Sequence, residues 1–205
     1  MEGRRISIFP LAGALLFPGG VLPLHVFEPR YRALVSDAMA RDRMIGMIQP
    51  RGEGAKPDLF PVGCLGHIEQ FEALPDGRYT LLLKGVARFR LLRELDVATP
   101  FRQVEGLLEA APVPEVETLA PEMRAELERE ARRFADRLGY VVDWTAVSRL
   151  DDQAFVNGIG QVAPFDVAAK QSLLEAESFE ARAAQMLRLM RFFGHVGDEG
   201  SSTLQ

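Results

Sequence analysis

The chain has 205 residues, 47% hydrophobic and 26% charged, an ordinary globular composition with room for one domain or two small ones. Its net charge of −5 argues against an extended nucleic-acid surface, and its single cysteine, Cys64, excludes an internal disulfide and a cysteine-based zinc site. No run reaches the roughly 18 uninterrupted apolar residues of a membrane span, and the cysteine usage suits a reducing, cytoplasmic compartment.

The opening, "MEGRRISIFPLAGALLF", has the charge-then-apolar order of a signal peptide. Pro10, Pro18, Gly19, Gly20 and Pro23 break the apolar run too often for a helical leader, so we read short strands instead. "RISIFPL", "GGVLPLHVF", "MIGMIQ", "CLGHIEQFEAL", "RYTLLLKG", "ARFRLLREL" and "FRQVEGLLEA" all carry the Ile, Val, Leu and Phe content of strands. Pro75, Asp76 and Gly77 supply the turn of a hairpin. Alternation places Ala87, Phe89 and Leu91 on one face and Arg88, Arg90 and Leu92 on the other. One helix interrupts this half. It starts at Pro29, where a missing N–H has no consequence, and buries Tyr31, Leu34, Val35, Ala38 and Met39 on one stripe.

Residues 52–57 read as a polar loop, and residues 111–121 as a Pro- and Glu-rich linker. Beyond Pro121 the period becomes helical. Met123, Leu127, Ala131, Phe134 and Leu138 mark one helix, and Phe155, Ile159 and Val162 mark the stripe of a second. Asp166 and Ser178 are the expected N-caps of two more. The chain is therefore α+β. A β-rich unit with one embedded helix spans residues 1–112, a helical bundle spans 113–194, and a flexible tail spans 195–205.

Motifs for chemistry are missing. The sequence has no phosphate-binding G-x-x-x-x-G-K-[ST] loop, no G-x-S-x-G elbow and no H-E-x-x-H helix. Ser172 and Lys170 are two apart on a helix, which points them to different sides. His25 and Glu28 sit in a chain held extended by Pro23 and Pro29, where positions three apart face opposite ways. No catalytic residue, cofactor or metal is assigned. Glu28, just before a helix N-terminus, is favoured by the helix dipole, and in so apolar a setting it calls for a cation. Arg30 and Arg32 are the local options, Arg88 and Arg90 the strand options. The expectation taken forward is an ion pair between Glu28 and Arg88 that latches the helix to the sheet, against a solvated Glu28.

The stretch "IFPLAGALLFPGGVLPLHVFEPRYRALV" resembles the opening of the Lon protease N-terminal domain family, with its L-F-P-G turn followed by L-P-L-x-x-F-E-P-R-Y. "DRMIGMIQ", "VGCLGHIEQFEALPDGRYTLLLKGVARFRLL", "FVNGIGQ", "KQSLLEAES" and "EARAAQML" continue the likeness in order, over about residues 6–189. The resemblance implies a PUA-like β-barrel followed by a helical bundle. It implies a region that selects protein substrates and supports oligomer assembly, without the downstream ATPase and Ser–Lys protease domains. The expected module is therefore stand-alone and non-catalytic. The region also resembles the Lon-like domain of cereblon and of some ubiquitin-ligase proteins, although one cysteine cannot build the RING module of the latter.

The leading expectation is a protein-binding module for unfolded or partner proteins, with homo-oligomers allowed and no membrane. Leu15, Leu16, Phe17, Pro18 and Val21 are its candidate contacts, the alternative being that they are core or sit at a dimer contact. The runner-up is RNA binding through a basic face of Arg88, Arg90, Arg93 and Arg102, against which the net charge and the missing stacking aromatics argue.

Overall fold

The structure is a computed structural model that describes residues 3–109 and 117–199, with side chains as far as Gly194. The chain divides into two compact units, Met1–Pro114 and Glu115–Gln205. The expected boundary at residues 112 and 113, residues 111–116 of the expected linker and residues 200–205 of the expected tail lie outside the described residues.

The first unit runs β1 (Arg4–Pro10), β2 (Val21–Val26), α1 (Pro29–Met39), β3 (Met44–Ile48), β4 (Pro50–Arg51), β5 (Asp58–Leu59), β6 (Val62–Ala73), β7 (Tyr79–Leu95) and β8 (Gln103–Leu108). Its mixed six-stranded sheet has the order β2-β7-β6-β3-β1-β8, and β7 pairs with β8 as well. β1 runs parallel to β3, and the other pairings in this sheet are antiparallel. The period-2 alternation has its expected outcome: Ala87 and Phe89 are buried while Arg90 and Leu92 are exposed. Phe89 joins Ile6, Ile8, Ile48, Leu65 and Val104 in the core. The sequence suggests two strands where a single 17-residue β7 forms. Val86 is the reason. It is absorbed as a bulge, because Leu65 pairs with Ala87 and Gly66 with Gly85. The β6–β7 turn closes through Leu74 and Arg78, with Gly77 at φ +80°.

α1 begins at Pro29 and buries Tyr31, Leu34, Val35 and Ala38. The Tyr31 ring stacks on Phe9, centroids 3.9 Å apart, and its hydroxyl donates to the Pro10 carbonyl at 3.2 Å. Across the sheet, Arg102 grips Glu94 with two parallel bonds of 2.9 and 2.8 Å and donates to the Pro57 carbonyl at 2.9 Å. Lys56 adds a 3.1 Å contact to the same carboxylate. The Arg102 bond, helped by Lys56, holds the Glu94 carboxyl below its ordinary value. A depressed folded-state pKa stabilises fully above the unfolded glutamate value, about 4.3, and that contribution fades as pH falls through the lower folded value. Glu94→Gln is therefore expected to lower stability near pH 7 and to flatten the acid arm of a stability–pH curve from thermal melts. An unchanged acid arm would contradict the stabilising role of the Glu94–Arg102 pair.

The second unit runs α2 (Pro121–Arg137), α3 (Trp144–Val147), α4 (Asp152–Val162), α5 (Val167–Leu174) and α6 (Phe179–Glu199). Asp143, Asp151 and Asp166 cap α3, α4 and α5 by accepting backbone N–H groups. Ser178 Oγ accepts from Ala181 N–H at 3.1 Å and starts α6, which buries Ala183, Met186, Leu187 and Met190. The expected flexible tail from residue 195 is corrected over its first five residues, because α6 continues to Glu199. Gly194 lacks the positive φ of a C-cap glycine and so does not stop the helix. Buried Arg182 donates to Asn157 Oδ1 at 3.0 Å and to the Leu173 carbonyl at 3.3 Å, tying α4, α5 and α6 together.

Candidate functional site

The apolar stretch carried forward as candidate contacts is architecture. Leu15, Leu16 and Phe17 are 1%, 1% and 0% exposed, so they cannot meet a client without unfolding; Pro18 is half-buried and only Val21 is exposed. The glycines that follow let the backbone approach another strand rather than a ligand. Gly19 N–H donates to the Gly85 carbonyl at 2.9 Å, and Gly85 N–H donates to the Gly20 carbonyl at 2.8 Å. The turn is thus docked on the β7 bulge.

The expected latch is also corrected. Glu28 pairs with Arg30 at 2.9 Å, and Arg88 pairs with Glu109 at 2.7 Å. Proximity along the chain favours Arg30, and Glu109, just past the end of β8, reaches Arg88 instead of Glu28. The basic face fares likewise. Arg90 meets Glu109 at 3.6 Å, Arg93 meets Glu105 at 2.7 Å, and Arg102 is held by Glu94. Four arginines that read as a basic face are matched by Glu94 on β7, Glu105 on β8 and Glu109 just past β8, which leaves RNA binding without support. Ser172 and Lys170 engage different groups: Ser172 Oγ donates to the Ala169 carbonyl at 2.7 Å, and Lys170 Nζ donates to the Gln161 carbonyl at 2.9 Å. Burial lowers the Lys170 pKa, but the geometry is not that of a dyad.

One concavity of the first unit is polar, a cleft of about 240 Å³ beside β1 and α1 lined by Arg4, Arg5, Asp37, Arg41 and Asp42. Four of its charges pair off, Arg4 with Asp42 at 2.7 Å and Arg41 with Asp37 at 3.0 Å, and its fifth, Arg5, donates to Gln103 Oε1.

The helical unit holds an apolar pocket of about 220 Å³. α2 gives Ala131, Phe134 and Ala135; the following segment and α3 give Tyr140, Val142, Trp144 and Val147; α4 gives Phe155, Gly158, Ile159 and Val162; and α6 gives Met190. Tyr140 and Leu150 at the lip are exposed, so the pocket reaches solvent. The expected stripe of α4 is only partly core. Phe155 is buried, Ile159 is half-buried, and Val162 is 80% exposed. Ile159 and Val162 spend their apolar surface on the pocket wall instead. The sequence carried one signal for this. Gly158 sits mid-helix, where glycine costs about 1 kcal/mol relative to alanine. A Cβ at Gly158 would meet nothing within 4 Å, so the glycine keeps the pocket open rather than avoiding a clash.

The wall is braced from behind. Arg124 lies 4.2 Å over the Phe155 ring and bonds Glu128 and Asp152, each at 2.7 Å. Asp152 also accepts Leu119 N–H at 2.7 Å. These partners raise the Arg124 pKa against the opposing effect of burial. The pocket therefore offers a fixed apolar concavity, suited to binding and without the converging nucleophile and base that catalysis needs. Among the described residues, no helix is long and apolar enough to cross a membrane.

The chain is 30% identical over 193 residues to the Lon protease of Anaeromyxobacter dehalogenans and 30% identical over 194 residues to Lon protease 2 of Myxococcus xanthus. Each alignment covers 90% of this chain but 23% of the relative, so the chain spans under a quarter of the length of these proteins. A Lon N-terminal domain protein from Xanthomonas campestris shares the fold with a TM-score of 0.65 at 23% identity, covering 90% of this chain and 98% of that one. The N-terminal domain of the Mycobacterium avium complex Lon protease gives 0.62 at 20% identity, covering 94% and 98%. Residues 5–191 match the model for the substrate-binding domain of the ATP-dependent protease La (Lon), and the chain belongs to that family.

Proposed function

We propose that the chain is a non-catalytic recognition module that holds exposed apolar segments of unfolded or partner proteins, as an adaptor or client-binding protein. The observation that carries this reading is the open apolar pocket of the helical unit, on a chain of the Lon substrate-binding family. A pocket of that volume accommodates one bulky side chain, the usual anchor of peptide recognition. The matched region is the substrate-binding domain, so ATP-driven unfolding and peptide-bond cleavage are not part of the proposal. We further infer that the sheet of the first unit closes as a PUA-like barrel. The pairing of β7 with both β6 and β8 supports this, because it links the strand order into a ring. Buried Cys64 fits a cytoplasmic setting.

Gly158→Leu tests the client reading. Its side chain grows into the open space of the pocket and replaces the weakest helix former but proline, so stability is expected to hold or rise. Binding to an unfolded protein such as casein is expected to weaken about ten-fold or more, the scale of a lost anchor contact. Full binding by a stably folded Gly158→Leu chain would move the client site elsewhere.

A further inference from the structure

The charges around the pocket are unequal in a way that bears on the kind of client. Asp143 accepts the N–H groups of Thr145 and Ala146, each at 3.0 Å, and Asp151 accepts that of Ala154 at 2.7 Å. Asp152 is held by Arg124. These nearby carboxylates are turned to helix N-termini and to Arg124, which partly offset their charge. The Arg132 guanidinium lies 4.5 Å over the ring of Trp144, a wall residue of the pocket. Arg132 is exposed and has no ion pair among the described residues, whereas its neighbour Arg133 reaches Glu130 at 3.8 Å. Arg149, next to Leu150 of the lip, also has no ion pair among the described residues. Asp136, one turn past Arg132 on α2, is the exposed carboxylate that opposes this bias.

The geometry points to a client segment in which a bulky apolar side chain is flanked by Asp or Glu, with Arg132 as the specificity-determining residue. The apolar side chain fills the pocket against the Trp144 indole. The flanking carboxylate meets the guanidinium that stacks 4.5 Å over that ring. Stacked on an indole, the guanidinium is pre-ordered and less hydrated, so a carboxylate gains more from it than from a free surface arginine. This rests on the pocket being the client site.

Trp144 is the single tryptophan of the chain, so its emission reads the pocket directly. The full chain is titrated with short acetylated and amidated peptides, which carry no terminal charge. Each has a central Phe flanked by Asp, Asn or Lys. The Asp-flanked peptide is expected to shift the Trp144 emission to the blue and to bind about five-fold tighter than the Lys-flanked one, a typical range for one exposed ion pair. Raising the salt concentration should narrow the gap. Arg132→Glu should reverse the order, Arg132→Gln should abolish it, and Asp136→Asn should widen it. Equal binding of all three peptides would overturn the charge preference and leave the client reading standing. No response to any peptide would overturn both. An emission shift that grows with protein concentration alone would assign the pocket to a second copy of the chain, and would also overturn the proposal.

Discussion

Gly85→Ala is expected to destabilise the N-terminal unit by about 3 kcal/mol or more, the upper end of overpacking with two backbone bonds at risk. A Cβ at Gly85 would lie 2.0 Å from the Phe17 carbonyl oxygen and 2.7 Å from its carbon. These are backbone atoms, so no rotamer change relieves the clash. Either the 17–20 turn lifts off β7, or β7 shifts and its register with β6 suffers. Lifting the turn breaks the reciprocal bonds between Gly85 and both Gly19 and Gly20, and leaves their N–H and C=O groups to find water. Urea titration followed by far-UV circular dichroism measures the loss. Val86→Ala, at an exposed bulge position next door, is the control and should change little. A Gly85→Ala midpoint equal to that of the control would mean the turn is not packed on β7 as described.

The same contact explains what was hard to read in the sequence. Strands, the Pro29 helix, the hairpin turn and the two helix caps are local events, settled by alternation, by Pro and Gly positions and by short polar side chains. Leu15, Leu16 and Phe17 could be read either as contacts or as core because nothing nearby in the sequence shows what they pack against. Gly85, the partner of the 17–20 turn, stands in a different strand and is recognisable only through a bulge that merges two expected strands into one. Glu28 and Arg88 were paired on chemistry alone, and competition from Arg30 and Glu109 depends on register, which the sequence does not print. The pocket was missed for a related reason. Its wall is gathered from α2, α3, α4 and α6, and α3 is a single turn too short to show a period. Gly158 in the middle of α4 was the visible mark, an apparent flaw in a helix that makes sense once the space beside it is known.

Phe17→Ala separates the two candidate regions. The ring is 0% exposed, and deleting a buried phenylalanine side chain removes its transfer free energy and leaves a cavity, about 3–5 kcal/mol together. Relaxation is restricted here, because the Phe17 carbonyl also closes the turn by accepting Gly20 N–H at 3.0 Å, and the turn itself is fixed to Gly85. The variant should therefore unfold at a clearly lower urea concentration with little change in the slope, which is the signature of altered stability rather than altered compactness. Under conditions where it remains folded, its peptide affinity read from Trp144 should match that of the parent, because the ring lies in the core of the first unit and the proposed pocket is built wholly by the second. The opposite pattern, parental stability with lost client binding, would return the 15–21 stretch to the role its sequence first suggested. Gly158→Leu is the complement: stability is kept while binding falls.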